Sequence, residues 1–135
     1  MTTSLELNEK LCFLSEYLGA FPRDRLPKVR KYPSALIMNT HPSHKEGEHW
    51  VAVYIDKNKK GIYFDPFGLY PLEEEFKKFL NDNCENGWTY SSKIIQSIKS
   101  VNCGGYCYTF IILRSMGYPL NHIWGLFDDN TDIND

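Results

Sequence analysis

The stretch from His49 to Gly68 constrains the fold most. "HWVAVYI" is dense in aromatic and β-branched side chains, so it reads as a strand from His49 to Ile55. "DKNKKG" is a turn, and "IYFD" returns as a second strand before Pro66 and Gly68 break it. The pair predicts a hairpin with its turn near Asn58. His49 and Asp65 then fall at the same end of that hairpin, where their side chains could meet.

The remaining elements build around this pair. Leu7, Leu11, Leu14 and Leu18 recur at helical spacing, which predicts a first helix from about Leu5 to Leu18, ended by Gly19. A turn-rich segment with Pro22, Pro27 and Pro33 follows, and then "SALIMNT" reads as a short, mostly buried strand. "PLEEEFKKFL" (Pro71 to Leu80) predicts a helix: proline in the first turn, acids next, lysines later, matching the helix dipole. "WTYSSKII" gives another short strand or two. "CYTFIILRSMG" begins a last apolar helix, closed by Gly117 before Pro119, and the acidic tail "FDDNTDIND" is expected to fray. No repeat, low-complexity tract or linker interrupts the chain. The order predicts one α+β domain over residues 1–135, with a small mixed or antiparallel sheet flanked by helices.

Composition narrows the functional classes. A chain of 135 residues with 42% hydrophobic and 15% aromatic residues can bury a core without metal or disulfide staples. The net charge of -2 argues against strong non-specific nucleic-acid binding, which needs a cationic excess. The one basic cluster, "PRDRLPKVRK" (Pro22 to Lys31), reads as a solvated loop or a local anion contact. No signal peptide and no membrane-length apolar run accompany Cys12, Cys84, Cys103 and Cys107. Reduced thiols, an intracellular setting and no membrane partner are therefore expected.

"VNCGGYCYTFI" carries the candidate chemistry. Asn102 can serve as N-cap of the last helix, which puts Cys103 in its first turn. Unpaired N–H groups and the dipole there favour an anion and lower a thiol pKa. Gly104 and Gly105 are costly inside a helix, and their lack of Cβ would let a substrate backbone approach. A packed cysteine in a glycine-rich helix start is the competing reading. A nucleophile needs a base and the base an orienting acceptor. His41, His44, His49 and His122 are the histidines, and His49 alone faces an acid, Asp65, at the hairpin end. Gln96, seven residues before Cys103, could donate to an oxyanion beside the Cys103 N–H. Cys107, one helical turn on, is expected to be packed.

Together "GEHWVAVYI", "YFDPFG" and "IIQSIKSVNCGGYC" resemble the adenovirus proteinase (adenain) family, in the cysteine-protease clan that includes the SUMO-specific proteases. In that family a His-Trp pair opens a strand, an acid followed by Pro-Phe-Gly ends the next, and a Gln stands seven residues ahead of a Cys-Gly. "YLGAF" and "ALIMNT" look like the family's N-terminal segment, so the resemblance covers most of residues 17–111. It implies a papain-clan-like fold, with His49 as base, Asp65 as orienting acid, Gln96 as oxyanion donor and Cys103 as nucleophile. Asp65 stands where adenovirus enzymes commonly have Glu. Trp50, Gly104 and Gly105 are then expected to line the substrate path.

The chain is much shorter than an adenovirus proteinase, and the deficit follows the last motif helix. The resemblance thus implies a minimal relative, such as a protease of a Polinton or Maverick-type element or a related small DNA virus. Precursor capsid or core proteins cut at Gly-Gly or Gly-X sites are the implied substrates, and the host nucleus, a viral factory or the virion the implied setting. Adenovirus proteinases are stimulated by DNA and by a viral peptide disulfide-bonded to a cysteine upstream of the Gln. Cys84, twelve residues before Gln96, is the candidate for that activating peptide. No cofactor is expected to be required, and the acidic net charge sets an expectation of little DNA stimulation.

Two other readings compete. The same constellation serves removal of ubiquitin-like tags, whose tails end in Gly-Gly. A binding module that has lost catalysis is opposed by the intact set of four roles. Zinc is not expected, because "HPSHKEGEH" with its three histidines fits neither a zinc finger nor an HExxH helix.

Overall fold

Residues 2–42, 49–97 and 102–134 are described by the computed structural model. A five-stranded sheet with order β1-β2-β3-β4-β5 forms its centre. The strands are β1 (Tyr17–Pro22), β2 (Ser34–Asn39), β3 (Trp50–Ile55), β4 (Gly61–Phe64) and β5 (Trp88–Tyr90). β2, β3 and β4 are antiparallel, whereas β1 and β5 each join an edge in parallel, so the sheet is mixed. The hairpin forms as its composition predicts: Ile55 pairs with Gly61 and Ala52 with Phe64.

Both faces of the sheet are covered, and every residue of β2 and β3 is buried. Side chains on a strand alternate between faces. Ala35, Ile37, Ala52 and Tyr54 pack with Leu7 and Leu11 of α1 (Ser4–Leu11) and with Tyr106, Cys107, Phe110 and Ile111 of α3 (Cys103–Ser115). Leu36, Met38, Val51, Val53 and Ile55 pack instead against Phe76, Phe79 and Leu80 of α2 (Glu74–Asn83). Two-sided burial explains why "SALIM" and "WVAVYI" read as nearly continuous apolar runs. Between α3 and the next helix, Gly117 takes φ 93° and its N–H reaches Arg114 O, as a left-handed cap requires.

Three expectations need correction. The leucine-spaced helix stops at Leu11, and Tyr17 to Pro22 is edge strand β1, parallel to β2. Asn8 causes the reversal: its Oδ1 accepts from Tyr17 OH at 2.9 Å and Ala20 N at 3.0 Å, folding the chain back along α1. Gly19, at φ 140°, sits in the register shift between Tyr17 and Ala20 rather than capping a helix. α2 begins three residues later than expected, at Glu74, so Pro71 precedes it. The tail does not fray. A short helix, α4 (Leu120–Gly125), precedes it, and within it α5 (Thr131–Asn134) forms, with Asn134 Nδ2 donating to Ile95 O at 3.0 Å.

Candidate active site

The first turn of α3, the start of β3 and the turn after β4 converge. Asn102 is the N-cap of α3, and its carbonyl accepts from Tyr106 N. Its side chain makes no capping bond and lies over Gly105 instead. Cys103 follows, 4% exposed. Its Sγ accepts from Trp50 N at 3.3 Å and faces the His49 ring, which lowers its pKa. One turn along, Cys107 Sγ donates to Trp50 O at 3.3 Å, so both backbone groups of Trp50 are held by α3.

His49 directly precedes β3. Its Nε2 lies 2.8 Å from Asp65 Oδ1, which leaves the other ring nitrogen for Cys103. Asp65 directly follows β4 and is 5% exposed. The turn it opens closes by Gly68 N donating to Asp65 O at 2.7 Å. Gly68 has φ 72°, and a Cβ there would stand 2.8 Å from Ser92 O, so both backbone angle and space demand glycine. Every residue of "DPFG" has a task in this geometry. Asp65 Oδ1 also accepts from Phe67 N at 2.8 Å, which fixes the carboxylate. Phe67 stacks on the His49 ring, centroids 4.6 Å apart and planes 16° apart. Pro66 O accepts from both Ile95 N (2.9 Å) and Gln96 N (3.0 Å), which holds buried Gln96 beside the turn.

The electrostatics follow from these contacts. Burial alone would lift the Cys103 thiol, but the hydrogen bond with His49, the Trp50 and Gly104 N–H groups and the imidazolium charge hold it below its ordinary value. Burial alone would lower the His49 pKa, but hydrogen bonds and charge from Asp65 and Cys103 push it up to about 9. A thiolate facing an imidazolium is the state this favours. Cys107 shows the contrast: with burial uncompensated, its thiol is pushed well above the ordinary value.

Of the residues expected at the site, His49, Asp65 and Cys103 meet directly, and Gln96 is held by the turn between them. His122 instead stacks on Tyr118, 4.7 Å between centroids. His44 lies outside the described residues. Among the described residues no group of three or more His, Cys, Asp or Glu could hold a metal, and no helix is long and apolar enough to cross a membrane.

The residues expected to line a substrate path also touch the chain's own segments. Trp50 belongs to the core, 7% exposed, and its Nε1 donates to Thr2 O at 3.0 Å. A Cβ on Gly104 would stand 2.8 Å from Thr2 Cβ. Gly104 and Gly105 thus make room for Thr2 and Asn102. Cys84, the candidate for an activating peptide, lies away from the triad. It is buried, it packs on Gly61 where a Cβ would strike its Sγ, and burial pushes its thiol up to about 11. A thiol so placed is a poor partner for a peptide disulfide. Phe67, Pro66 and Thr2 were not expected at the site. "PFG" was readable only as a motif, and Thr2 left no sequence signal except two glycines needing an occupant.

The architecture and the site define an α+β fold of the papain-like, SUMO-protease type. Among solved structures, it is similar to the ASFV pS273R protease. A selenomethionine crystal form superposes with TM-score 0.65 at 15% identity, over 90% of this chain and 61% of that one. A second crystal structure of the same protease gives 0.59 at 18% identity, over 89% and 59%. The central domain of the uncharacterized Lpg1148 protein from Legionella pneumophila gives 0.51 at 15% identity, over 88% and 79%. The chain therefore spans less than two thirds of the ASFV protease. No family model and no curated protein matches the sequence. The likeness is one of fold, and it does not single out adenovirus proteinases or mobile-element relatives.

Proposed function

We propose that the chain is a cysteine endopeptidase, with Cys103 as nucleophile, His49 as base and acid, Asp65 orienting His49, and Gln96 donating to the oxyanion. One observation carries this reading: His49 bridges Asp65, at 2.8 Å, and the thiol of a cysteine opening a helix. In the reaction, the Cys103 proton resides on His49 and the thiolate attacks the scissile carbonyl carbon. A C–S bond forms, and the carbonyl electron pair moves to oxygen. The Cys103 N–H and the Gln96 side-chain amide stabilise that oxyanion. Collapse breaks the C–N bond as His49 returns the proton to the departing amine. Water, deprotonated by His49, then hydrolyses the thioester.

The proposed substrates are precursor proteins of a virus or mobile element, cut at Gly-containing sites. The sequence resemblance supports this, as does a fold shared with a protease of viral origin. Activation by a peptide through Cys84 is not part of the proposal, because burial pushes its thiol up to about 11. The test incubates wild-type and Cys103→Ala protein, under reducing conditions, with Gly-Gly and Gly-X precursor peptides and with a ubiquitin-like tag conjugate. Cleavage of the peptides by wild type alone supports the proposal. Cleavage of the conjugate alone would replace it with tag removal, and no Cys103-dependent cleavage of either would sink it.

A further inference from the structure

Gln96 lies in a segment that has no strand or helix to hold it. Residues 91–97 continue from β5 without regular structure, yet Ser91 and Ile95 are buried while Ser92 and Ile94 are exposed, the alternation of an extended chain. One side of the segment is fixed by β4 and its turn: Ser91 N bonds Tyr63 O, and Ile95 N and Gln96 N share Pro66 O. The other side is fixed by the C-terminal segment. Trp124 Nε1 donates to Ser91 Oγ at 2.7 Å. Lys93 Nζ donates to Trp124 O at 3.0 Å and Phe127 O at 3.1 Å, and pairs with Asp129 at 3.3 Å. Asn134 Nδ2 donates to Ile95 O at 3.0 Å.

These contacts fall on residues 91, 93 and 95, the period with which an extended chain presents one side. Lys93 meets carbonyls at the C-terminal end of α4, where a cation is favoured. Asn134 is itself locked before it reaches Ile95: its Oδ1 accepts from Asp128 N at 2.7 Å and its Nδ2 donates to Asp128 O at 2.9 Å. An oxyanion donor contributes only if it is already in place when charge develops, within about 0.5 Å.

Resting on the peptidase reading above, we propose that residues 124–134 are a brace that positions Gln96. Trp124 and Asn134 act through Ser91 and Ile95, and neither touches substrate. The test uses the full chain carrying Trp124→Phe, which keeps a ring but loses the donor, together with Asn134→Ala. We expect kcat to fall about 10-fold, with KM within about twofold and the Cys103 alkylation rate unchanged. In a Gln96→Ala background the pair should lower kcat no further, because its effect runs through Gln96. An equal loss in that background, or no loss in either, overturns the brace. Amide hydrogen exchange decides it independently of turnover. Ile95 and Gln96 amides should exchange about 10-fold faster in the variant while Val53 does not change. Unchanged exchange at Ile95 and Gln96 overturns the brace even in an active enzyme. A wild-type chain without peptidase activity sinks the peptidase reading and leaves the exchange result to judge the brace.

Discussion

The backbone N–H of Trp50 points at Sγ of Cys103 across 3.3 Å. Its carbonyl accepts from Cys107 one helical turn further on, so β3 and α3 are docked in a fixed register. His49 is the residue before Trp50, so that register also delivers the imidazole to the thiol. The donor supplements the helix N-terminus in favouring the thiolate.

Thiol reactivity should separate the cysteines. Iodoacetamide is expected to modify exposed Cys12 and, through its lowered pKa, Cys103, while Cys84 and Cys107, also buried but with raised thiol pKa, stay unmodified in the folded protein. Labelling at Cys103 should persist to lower pH than that of an ordinary free thiol. Mass spectrometry of peptides from timed reactions reads this. Labelling of Cys103 that needs alkaline pH would contradict an activated thiolate.

The pH profile has a defined sign. The active pair requires Cys103 deprotonated, hence pH above its lowered value, and His49 protonated, hence pH below about 9. Activity should rise on an acid limb set by the lowered Cys103 value and fall on an alkaline limb near 9. Asp65 raises the His49 pKa, so Asp65→Asn should move that limb to lower pH by about one unit or more and cut kcat by about 10²–10⁴-fold. Steady-state rates from pH 5 to 10 check both. An alkaline limb unmoved in Asp65→Asn would remove Asp65 from its role.

Gly104 and Thr2 should be coupled. A Cβ at Gly104 meets Thr2 Cβ at 2.8 Å, so Gly104→Ala forces Thr2 to shift. Overpacking costs about 1–3 kcal/mol, against a helix-propensity gain of about 1 kcal/mol, for a net loss of about 1 kcal/mol. Thr2→Gly removes the obstacle and should restore most of the loss, as a double-mutant cycle by denaturant unfolding would show. Additive effects would mean that Thr2 does not occupy that space in solution.

Substrate choice should favour glycine two positions before the cleaved bond. Cys103 is almost covered, so only a narrow approach leads to it. A valine at that substrate position is expected to lower kcat/KM at least about 10²-fold, roughly 2.7 kcal/mol in the transition state. Paired peptides differing only there provide the comparison. Equal rates would dismiss the narrow approach.

The sequence placed His49 and Asp65 together because an antiparallel hairpin pairs its ends by counting residues. It placed Cys103 because "NCGG" before an apolar run marks a helix start. Both inferences use short-range rules. β1 escaped the same rules because leucines at 7, 11, 14 and 18 keep helical spacing through a reversal that Asn8 directs from within α1. Leu14 and Leu18 in fact pack on opposite faces of the sheet. Thr2 over Gly104, Phe67 on His49 and Asn134 on Ile95 are contacts between distant or irregular segments. No periodicity encodes them. The occupants of Gly104 and Gly105 were hidden for a related reason: glycine signals that space is needed and does not say for whom.

The bond from Trp50 Nε1 to Thr2 O has a consequence for binding measurements. A ligand carbonyl that uses this indole must first evict Thr2, so one acceptor replaces another and the hydrogen-bond count does not change. The resident acceptor is tethered, with an effective concentration of order millimolar. A free peptide at micromolar concentration competes poorly for that donor. Measured affinity will therefore understate the intrinsic strength of that contact while Thr2 occupies it.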